Sequence, residues 1–170
     1  MNQETLCHAT VGFLTKHNRV NLPVKKRKTG AGFRNGYGGK IWPEETPSAC
    51  VTREILEEGR IKTWPQDLRR IALLHCHNRT ETGEKFLYVV HVFETTFWLG
   101  EPKETEEMGP PAWFPTDALP LDELMIDDRL WLPRFFRDRK PLVVTVKYGP
   151  NQATLDEEMV IEEVLTLPEE

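Results

Sequence analysis

The segment that decides the fold runs from Gly39 to Ile61 and reads GKIWPEETPSACVTREILEEGRI. Thr46 suits the N-cap of a helix, because its hydroxyl group can accept a hydrogen bond from a backbone amide of the first turn. Pro47 suits the first helical position, where no amide donor is needed. Gly59 is typical of a position just beyond a helix end. The sequence therefore predicts a helix over Pro47–Glu58.

This helix has an acidic side. At about 100° per residue, Glu54, Glu57 and Glu58 lie on one side, whereas Ala49 and Leu56 point in roughly the opposite direction. We therefore expect the side with Ala49 and Leu56 to pack on a core and the acidic side to face a cleft.

Three carboxylates on one rigid helix can supply ligands to magnesium, a hard cation that prefers oxygen, and can also supply a base. Arg53 precedes Glu57 by four residues and can orient it through an i,i+4 ion pair. The alternative for such glutamates, taken alone, is a solvated acidic helix face.

The segment resembles the Nudix box, the pattern G-x5-E-x7-R-E-U-x-E-E-x-G-U in which U is aliphatic. The matching positions are Gly39, Glu45, Arg53, Glu54, Ile55, Glu57, Glu58 and Ile61. One position departs from the pattern, since Arg60 stands where the family has its last glycine and Gly59 comes one place early. The departure lies at the helix exit and not among the metal ligands, so it affects the turn more than the activity.

The chain of 170 residues fits a single domain, 1–170, with a core over about 8–165. The net charge of −5 argues against a general surface for nucleic-acid polymers, and no apolar run is long enough to cross a membrane. No signal-peptide pattern is present at the start. Three cysteines without zinc-type spacing favour reduced thiols and a cytoplasmic location.

The remaining pattern predicts an α+β fold. β-Branched and aromatic residues predict strands at Ala9–Leu14, Arg70–His75, Phe86–Glu94, Trp113–Pro115 and Leu142–Tyr148. A second helix is expected near Asp127–Phe136. Strands combined with two helices indicate an α/β sandwich, and the Nudix resemblance implies the same architecture, a mixed sheet held between helices.

From Thr10 to about Val164 the chain is similar to the MutT-type oxidised-purine nucleoside triphosphate diphosphatases. The resemblance rests on Lys25-Lys-Arg27, Gly30-Ala-Gly32, Asn35–Lys40, Glu106-Glu-Met108, Trp113-Phe114, Leu119-Pro120, Asp127-Asp128, Trp131 and Pro133, and in the tail on Val146-Lys-Tyr148 and Leu155-Asp156. It implies Mg²⁺ as cofactor, with Mn²⁺ as a substitute. The implied metal ligands are Glu54, Glu57, Glu58, the carbonyl of Gly38 and Glu107, and Arg53 joins the glutamates in catalysis. Glu106 is an alternative to Glu107.

The resemblance also implies a set of substrate-binding residues, namely Thr10, Lys25, Asn35, Tyr88, Met125, Asp127 and Asp128. Structural alternatives stay open for several. The Asp127-Asp128 pair also suits a helix cap, Asn35 a turn with positive φ, and Tyr88 a core position. The basic run Lys25–Lys28 is either a solvated loop or a rim that attracts phosphate.

Two aromatic positions of the resembled base pocket are altered, because Met125 replaces a stacking tryptophan and Cys76 lies near a second aromatic position. His75-Cys76-His77 is interpreted as an ordinary strand rather than a metal site, with the two histidines on one face. The tryptophans Trp42, Trp64, Trp98 and Trp131 are interpreted as core or edge packing, with Trp42 also placed to wall the cleft.

These features predict a magnesium-dependent enzyme that hydrolyses a nucleoside triphosphate to the monophosphate and pyrophosphate, with 8-oxo-dGTP or another oxidised purine nucleotide as substrate. One alternative keeps the chemistry but cleaves a nucleotide sugar, a dinucleoside polyphosphate or ADP-ribose. Another is a non-catalytic Nudix ligand sensor. The expected partner is a small nucleotide, not a nucleic-acid polymer or a membrane, and the sequence leaves the oligomeric state open.

Overall fold

The computed structural model describes residues 4–169 and contains one mixed sheet of seven strands and two α-helices. The strands are β1 (Thr5–Lys16), β2 (Arg19–Asn21), β3 (Arg69–Arg79), β4 (Lys85–Thr95), β5 (Trp113–Pro115), β6 (Leu142–Lys147) and β7 (Val160–Glu163). The helices are α1 (Pro47–Gly59) and α2 (Asp128–Asp138). The strand order is β5-β2-β1-β4-β3-β6-β7, with β1 parallel to β4 and β3 parallel to β6. The predicted α+β fold is confirmed.

The predicted elements are present, with shifts at their ends. The α1 helix extends one residue beyond the prediction, to Gly59, and Thr46 caps it by accepting a hydrogen bond from the Ala49 amide at 3.2 Å. Strands β1 and β3 are longer than predicted, and β2 and β7 were not predicted. These two strands have three and four residues and no aromatic side chain, whereas the three-residue β5 was predicted from Trp113 and Phe114.

The sheet lies between two packed layers. On one face, Trp131 and Phe135 of α2 pack against Phe13 of β1. On the other face, Val51 and Ile55 of α1 pack near Leu14 of β1 and Phe93 of β4. Residues 4–169 contain no helix that is long and apolar enough to span a membrane.

The predicted core side of α1 was wrong. Leu56 is 51% exposed and Ala49 is also exposed, whereas Val51 and Ile55 are fully buried. The reason lies in β1, where Gly12 leaves room for the helix. A Cβ atom on Gly12 would lie 2.6 Å from Cγ2 of Val51, so only glycine lets α1 pack this closely on that side.

A glycine-rich segment, residues 36–40, pairs with β1 on the edge opposite β4 and brings its backbone to the cleft that Glu54 and Glu58 border. The Thr10 amide donates to the Gly39 carbonyl at 2.9 Å, and the Tyr37 amide donates to the Gly12 carbonyl at 3.0 Å. A Cβ atom on Gly38 would overlap the Thr10 carbonyl oxygen. Glycine is therefore required at position 38 for the segment to lie this close to β1.

The exit of α1 keeps its turn although its glycine is displaced. Arg60 adopts the left-handed conformation, with φ 59° and ψ 28°, and its amide donates to the Leu56 carbonyl at 3.1 Å. Gly59 serves packing instead, because a Cβ atom there would lie 3.0 Å from Cζ of Tyr37. The arginine thus takes the conformation that favours glycine, and the glycine makes room for the tyrosine ring.

Candidate active site

A cleft of about 750 Å³ lies on the face of the sheet that α2 covers. Its floor is formed by strand residues such as Val11, Leu74 and Val90. Glu54 and Glu58 of α1 border it together with the glycine-rich segment, and the start of α2 contributes Asp127 and Asp128. The predicted site residues that line this cleft are Thr10, Lys25, Asn35, Gly38, Glu54, Glu58, Tyr88, Glu107, Met125, Asp127 and Asp128.

Two predicted catalytic residues lie outside the lining of the cleft. Arg53 lies behind Glu54, and the side chain of Glu57 is 52% exposed. The predicted i,i+4 pair between them is present, but its Nη1–Oε2 distance of 3.5 Å makes it the longest ion pair of Arg53. Within residues 4–169, no three His, Cys, Asp or Glu side chains are grouped closely enough to form a metal site by themselves.

Arg53 organises the helix entry through hydrogen bonds in the plane of its guanidinium group. It donates to both carboxylate oxygens of Glu45 at 2.8 and 3.0 Å, to Glu54 at 2.8 Å and to the Lys40 carbonyl at 3.2 Å. The hydrogen bonds from Arg53 lower the pKa of Glu45 to about 2. Arg53 therefore holds Glu54 at the cleft and ties the loop before α1 to the helix.

Glu58 is the most unusual carboxylate of the cleft. It is 6% exposed, and its Oε2 atom has no hydrogen-bond partner among the described residues. Burial and the nearby Glu54 raise the pKa of Glu58 to about 8. Two neighbouring carboxylates, one of them buried, repel each other unless a proton or a cation lies between them.

The chemistry of these groups fits a divalent cation. The Tyr37 and Gly39 carbonyls accept from β1, so in this extended segment the intervening Gly38 turns its carbonyl and amide away from β1. A backbone hydrogen bond from Gly38 to Glu58 agrees with this orientation. The Gly38 carbonyl and the Glu54 and Glu58 carboxylates form a set of hard oxygen donors, which is the type that magnesium prefers.

The basic run divides into two roles. Lys25 lines the cleft, and burial lowers the pKa of its ammonium group although Glu58 opposes the shift. Lys26 donates to the Thr105 carbonyl at 2.8 Å, and Arg27 pairs with Glu106 and Glu107 at 3.3 and 3.4 Å. Only Lys25 and Lys28 of this run border the cleft, while the other two residues hold the opposite loop.

The opposite loop separates the two candidate glutamates. The Glu107 side chain is 32% exposed and lines the cleft, whereas the Glu106 side chain is 85% exposed and does not. The placement therefore favours Glu107 over Glu106 as the residue that takes part in the site.

The carboxyl pair at the start of α2 is buried, with exposures of 4% for Asp127 and 6% for Asp128. Asp127 occupies the N-cap position, but its side chain makes no capping hydrogen bond. The Asp128 carboxylate accepts a hydrogen bond from the Trp131 indole at 2.9 Å. Burial is the largest cause that raises the pKa of both groups. A helix cap therefore does not explain why two acids are buried here.

The other predicted substrate-binding residues have distinct surroundings. Asn35 borders the cleft without a positive φ, and its side-chain oxygen accepts from the Gly36 amide at 2.8 Å. Met125 lies across from Gly30, where a Cβ atom would be 3.0 Å from its sulfur. Tyr88 stands in the cleft with the Lys40 ammonium group 5.9 Å from its ring centroid. The Thr10 hydroxyl lies 3.2 Å from Sγ of Cys50, so it contacts α1.

The model of the NUDIX domain family matches residues 8–135. The chain belongs to the Nudix family. A zebrafish (Danio rerio) protein named "Oxidized purine nucleoside triphosphate hydrolase" is 35% identical over 131 residues, which cover 77% of this chain and 80% of that protein. The mouse (Mus musculus) protein of the same name is 36% identical with the same coverage.

Solved MutT structures have the same fold as this Nudix chain. The structure of the MutT protein from Bacillus halodurans matches with a TM-score of 0.76 at 22% identity, covering 92% of this chain and 97% of that one. A MutT Nudix hydrolase from Burkholderia pseudomallei matches with a TM-score of 0.60 at 28% identity, covering 76% of this chain and 97% of that one.

In this Nudix structure the segment His75-Cys76-His77 is part of β3, and the tryptophans differ in burial. His75 and His77 lie on β3 with Cys76 buried between them, and His77 pairs with Glu4 at 2.9 Å, as expected for an ordinary strand. Trp131 is buried in the core, whereas Trp42 is 57% exposed and borders the cleft, which agrees with the prediction that it walls the cleft. The Trp42 ring also stacks on Arg53, a contact that the spacing inside the box does not reveal.

A chain of amide groups at the cleft was not found from the sequence. The Asn78 side-chain nitrogen donates to the Cys76 carbonyl at 2.7 Å, and its oxygen accepts from Gln152 at 2.7 Å. Gln152 lines the cleft from a left-handed position with φ 57°. The Cys76 carbonyl accepts from Asn78 and so determines which end of the Asn78 amide faces Gln152. Gln152 therefore donates to Asn78, and its own oxygen is left to accept a hydrogen bond from a ligand.

Proposed function

We propose that this Nudix hydrolase uses Mg²⁺, or Mn²⁺ in its place, to cleave a purine nucleoside triphosphate to the monophosphate and pyrophosphate, with oxidised purines preferred. The observation that carries the proposal is one cleft that joins Glu54, Glu58 and the Gly38 backbone to the buried acids Asp127 and Asp128. The first group suits a metal and polyphosphate, and the second suits a base with several hydrogen-bonding edges. The two relatives named for oxidised purine nucleoside triphosphates support the substrate class.

In this proposal a bound Mg²⁺ supplies charge neutralisation at the phosphate oxygens. Glu54, Glu58 and the Gly38 carbonyl would hold the ion, and Lys25, which lines the same cleft, would face the phosphates. Arg53 keeps Glu54 in place. Most of the lowering of the barrier comes from positioning and charge stabilisation.

The bond changes are those of hydrolysis. A water oxygen bonds to a phosphorus atom, the phosphoanhydride P–O bond breaks, and pyrophosphate leaves with the bonding electron pair. The proton of the water passes to a carboxylate, a role that we assign to Glu107 because it is accessible from the cleft and held by Arg27. Glu57, whose side chain is 52% exposed beside Arg53, remains a proposed further ligand to the metal.

Base recognition is assigned to Asp127, Asp128, Asn35 and Met125. Because burial raises the pKa of both aspartates and they lie side by side, the pair keeps a proton more readily than separate acids would. A pair that shares one proton offers both a donor and an acceptor to the edge of a purine. Met125 and Tyr88 supply apolar surface for its rings.

Release of the nucleoside monophosphate, a product common to all four substrates, is measured with and without Mg²⁺ on 8-oxo-dGTP, dGTP, dATP and ADP-ribose. We expect magnesium-dependent turnover with 8-oxo-dGTP fastest, and Glu58→Gln should lower kcat by about 10²–10³-fold while the protein stays folded. Glu106→Gln is the matched control, because this exposed acid lies outside the cleft. Near-normal turnover of Glu58→Gln would contradict the assigned site, and equal rates on dGTP and 8-oxo-dGTP would contradict the preference for oxidised purines.

A second candidate keeps the chemistry and changes the substrate to another nucleoside diphosphate derivative. It is favoured by Met125, which replaces a stacking tryptophan of the resembled enzymes, and by Cys76, which lies near their second aromatic position. Faster turnover of ADP-ribose than of any triphosphate in the same assay would support it. Nucleotide binding without any turnover would instead indicate a ligand sensor.

We propose that residues 1–170 form a single domain. Its proposed partner is a small nucleotide substrate. Its three cysteines, Cys7, Cys50 and Cys76, are all free thiols, which supports a reducing cytoplasmic location.

A further inference from the structure

Trp42 has an unusual position for the largest type of apolar side chain. It is 57% exposed, yet its ring centroid lies only 3.6 Å from the guanidinium carbon of Arg53. The backbone amide of Trp42 also donates to Oε2 of Glu45 at 2.9 Å. The residue therefore contacts both members of the Glu45–Arg53 ion pair, once through its ring and once through its backbone.

The contacts of Arg53 explain what the ring adds. The N–H groups of the planar guanidinium point outward in its plane, so its edge makes the hydrogen bonds to Glu45, Glu54, Glu57, the Lys40 carbonyl and Sγ of Cys50. Such bonds define where the group lies but resist tilting out of its plane only weakly. A flat aromatic ring in contact with one face restrains that tilt and shields the ion pairs from water.

We propose that Trp42 is a positioning residue, whose indole ring clamps the guanidinium group of Arg53 and so fixes the Glu54 carboxylate at the cleft. Glu54 depends on this support because it stands at a crowded place, where a Cβ atom on Gly39 would overlap its carboxylate. A small tilt of Arg53 moves the Nη1 atom that lies 2.8 Å from Glu54. The catalytic consequence rests on the proposed function, whereas the contact itself does not.

The first test requires no activity. In metal-free protein labelled with ¹⁵N, the Nε–H resonance of Arg53 should be shifted by the indole ring current and should exchange slowly with water, because Glu45 accepts this proton at 2.8 Å. In Trp42→Ala the exchange should become about 2- to 30-fold faster, the range that corresponds to loss of a cation–π contact. Trp42→Phe should retain slow exchange. Trp64→Ala is the matched control, since Trp64 contacts Phe97 and Lys62 instead.

The second test measures kinetics in a double-mutant cycle with Arg53→Lys. Lysine lacks the planar group that Trp42 clamps. We expect Trp42→Ala to lower kcat about 2- to 30-fold with little change in KM, and to have no further effect when Arg53 is already lysine. Trp42→Phe should restore most of kcat.

The outcomes separate this inference from the proposed function. If no variant hydrolyses any nucleotide, the proposed function fails, and the exchange of the Arg53 Nε–H alone decides the role of Trp42. Unchanged exchange in Trp42→Ala would overturn the inference. So would a rise in KM alone that persists with Arg53→Lys, because Trp42 would then contact the substrate directly.

Discussion

The Arg53 guanidinium group meets the Glu45 carboxylate through two parallel hydrogen bonds, with Nε–Oε1 at 2.8 Å and Nη2–Oε2 at 3.0 Å. Both side chains are largely buried, with exposures of 16% for Arg53 and 12% for Glu45. Glu45 precedes α1 and Arg53 lies in its second turn, so the pair connects the loop to the helix. It also leaves Nη1 of Arg53 directed to Glu54.

This pair gives the first prediction, which concerns stability in acid. The pKa of Glu45 is lowered from 4.5 to about 2 in the folded protein. Its contribution is therefore complete above pH 4.5 and is lost as the pH falls towards 2. Glu45→Gln should lower the free energy of unfolding by about 1–3 kcal/mol at pH 7, measured with urea. The difference from the wild type should shrink between pH 4.5 and pH 2, and a constant difference would contradict the ion-pair origin.

Glu58 gives a prediction with the opposite sign. Its folded pKa is raised from 4.5 to about 8, so between these values the folded protein binds the proton and the unfolded chain does not. In EDTA, the stability that Glu58 contributes is full below pH 4.5 and is lost as the pH rises through 8. Glu58→Gln cannot ionise and should remove this loss, so that its unfolding free energy exceeds that of the wild type at pH 8–9. Equal urea midpoints for Glu58→Gln and the wild type at pH 9 would contradict this effect of Glu58 ionisation.

Much of α1 and its acidic side could be predicted, because capping and spacing are local. Thr46 and Pro47 define the helix start, and the residues of the box place Glu54 and Glu58 within one turn. The buried side of α1 was mispredicted because it is set by Gly12 of β1, which leaves room for Val51. The spacing of residues within the helix carries no information about a glycine on another element. Helical periodicity gives the angle between residues but not the face that a neighbouring strand leaves open.

The base end of the cleft was less predictable. Asp127 and Asp128 were candidates from resemblance, and only the structure shows that Asp127 makes no capping bond. The contact between Asn78 and Gln152 joins residues 74 positions apart, through a loop whose left-handed turn has no glycine. Such contacts arise from tertiary packing, and neither propensity nor periodicity encodes them.

The exit of α1 gives a third prediction. Arg60 holds φ 59° in a position that favours glycine, and a non-glycine residue is strained in this conformation. Arg60→Gly should raise the free energy of unfolding by roughly 0.5–1 kcal/mol, since the gain in the folded state exceeds the added freedom of the unfolded chain. Thermal unfolding in EDTA measures this. Gly59→Ala is the contrasting variant and should destabilise, because its Cβ atom would lie 3.0 Å from the Tyr37 ring. A less stable Arg60→Gly variant would show that the arginine side chain matters more than its backbone strain.

The amide of Gln152 gives the last prediction, which concerns base selectivity. Asn78 binds its nitrogen at 2.7 Å, so its oxygen is the group left to accept a hydrogen bond from a base. Gln152→Ala should therefore lower kcat/KM about 5- to 10-fold for a purine that presents a donor there, and much less for one that does not. Comparing dGTP with dITP, which lacks the exocyclic amine, identifies that amine if only the dGTP rate falls. Asn151→Ala on the same loop is the control. Equal losses on every nucleotide would mean that Gln152 supports the loop and does not read the base.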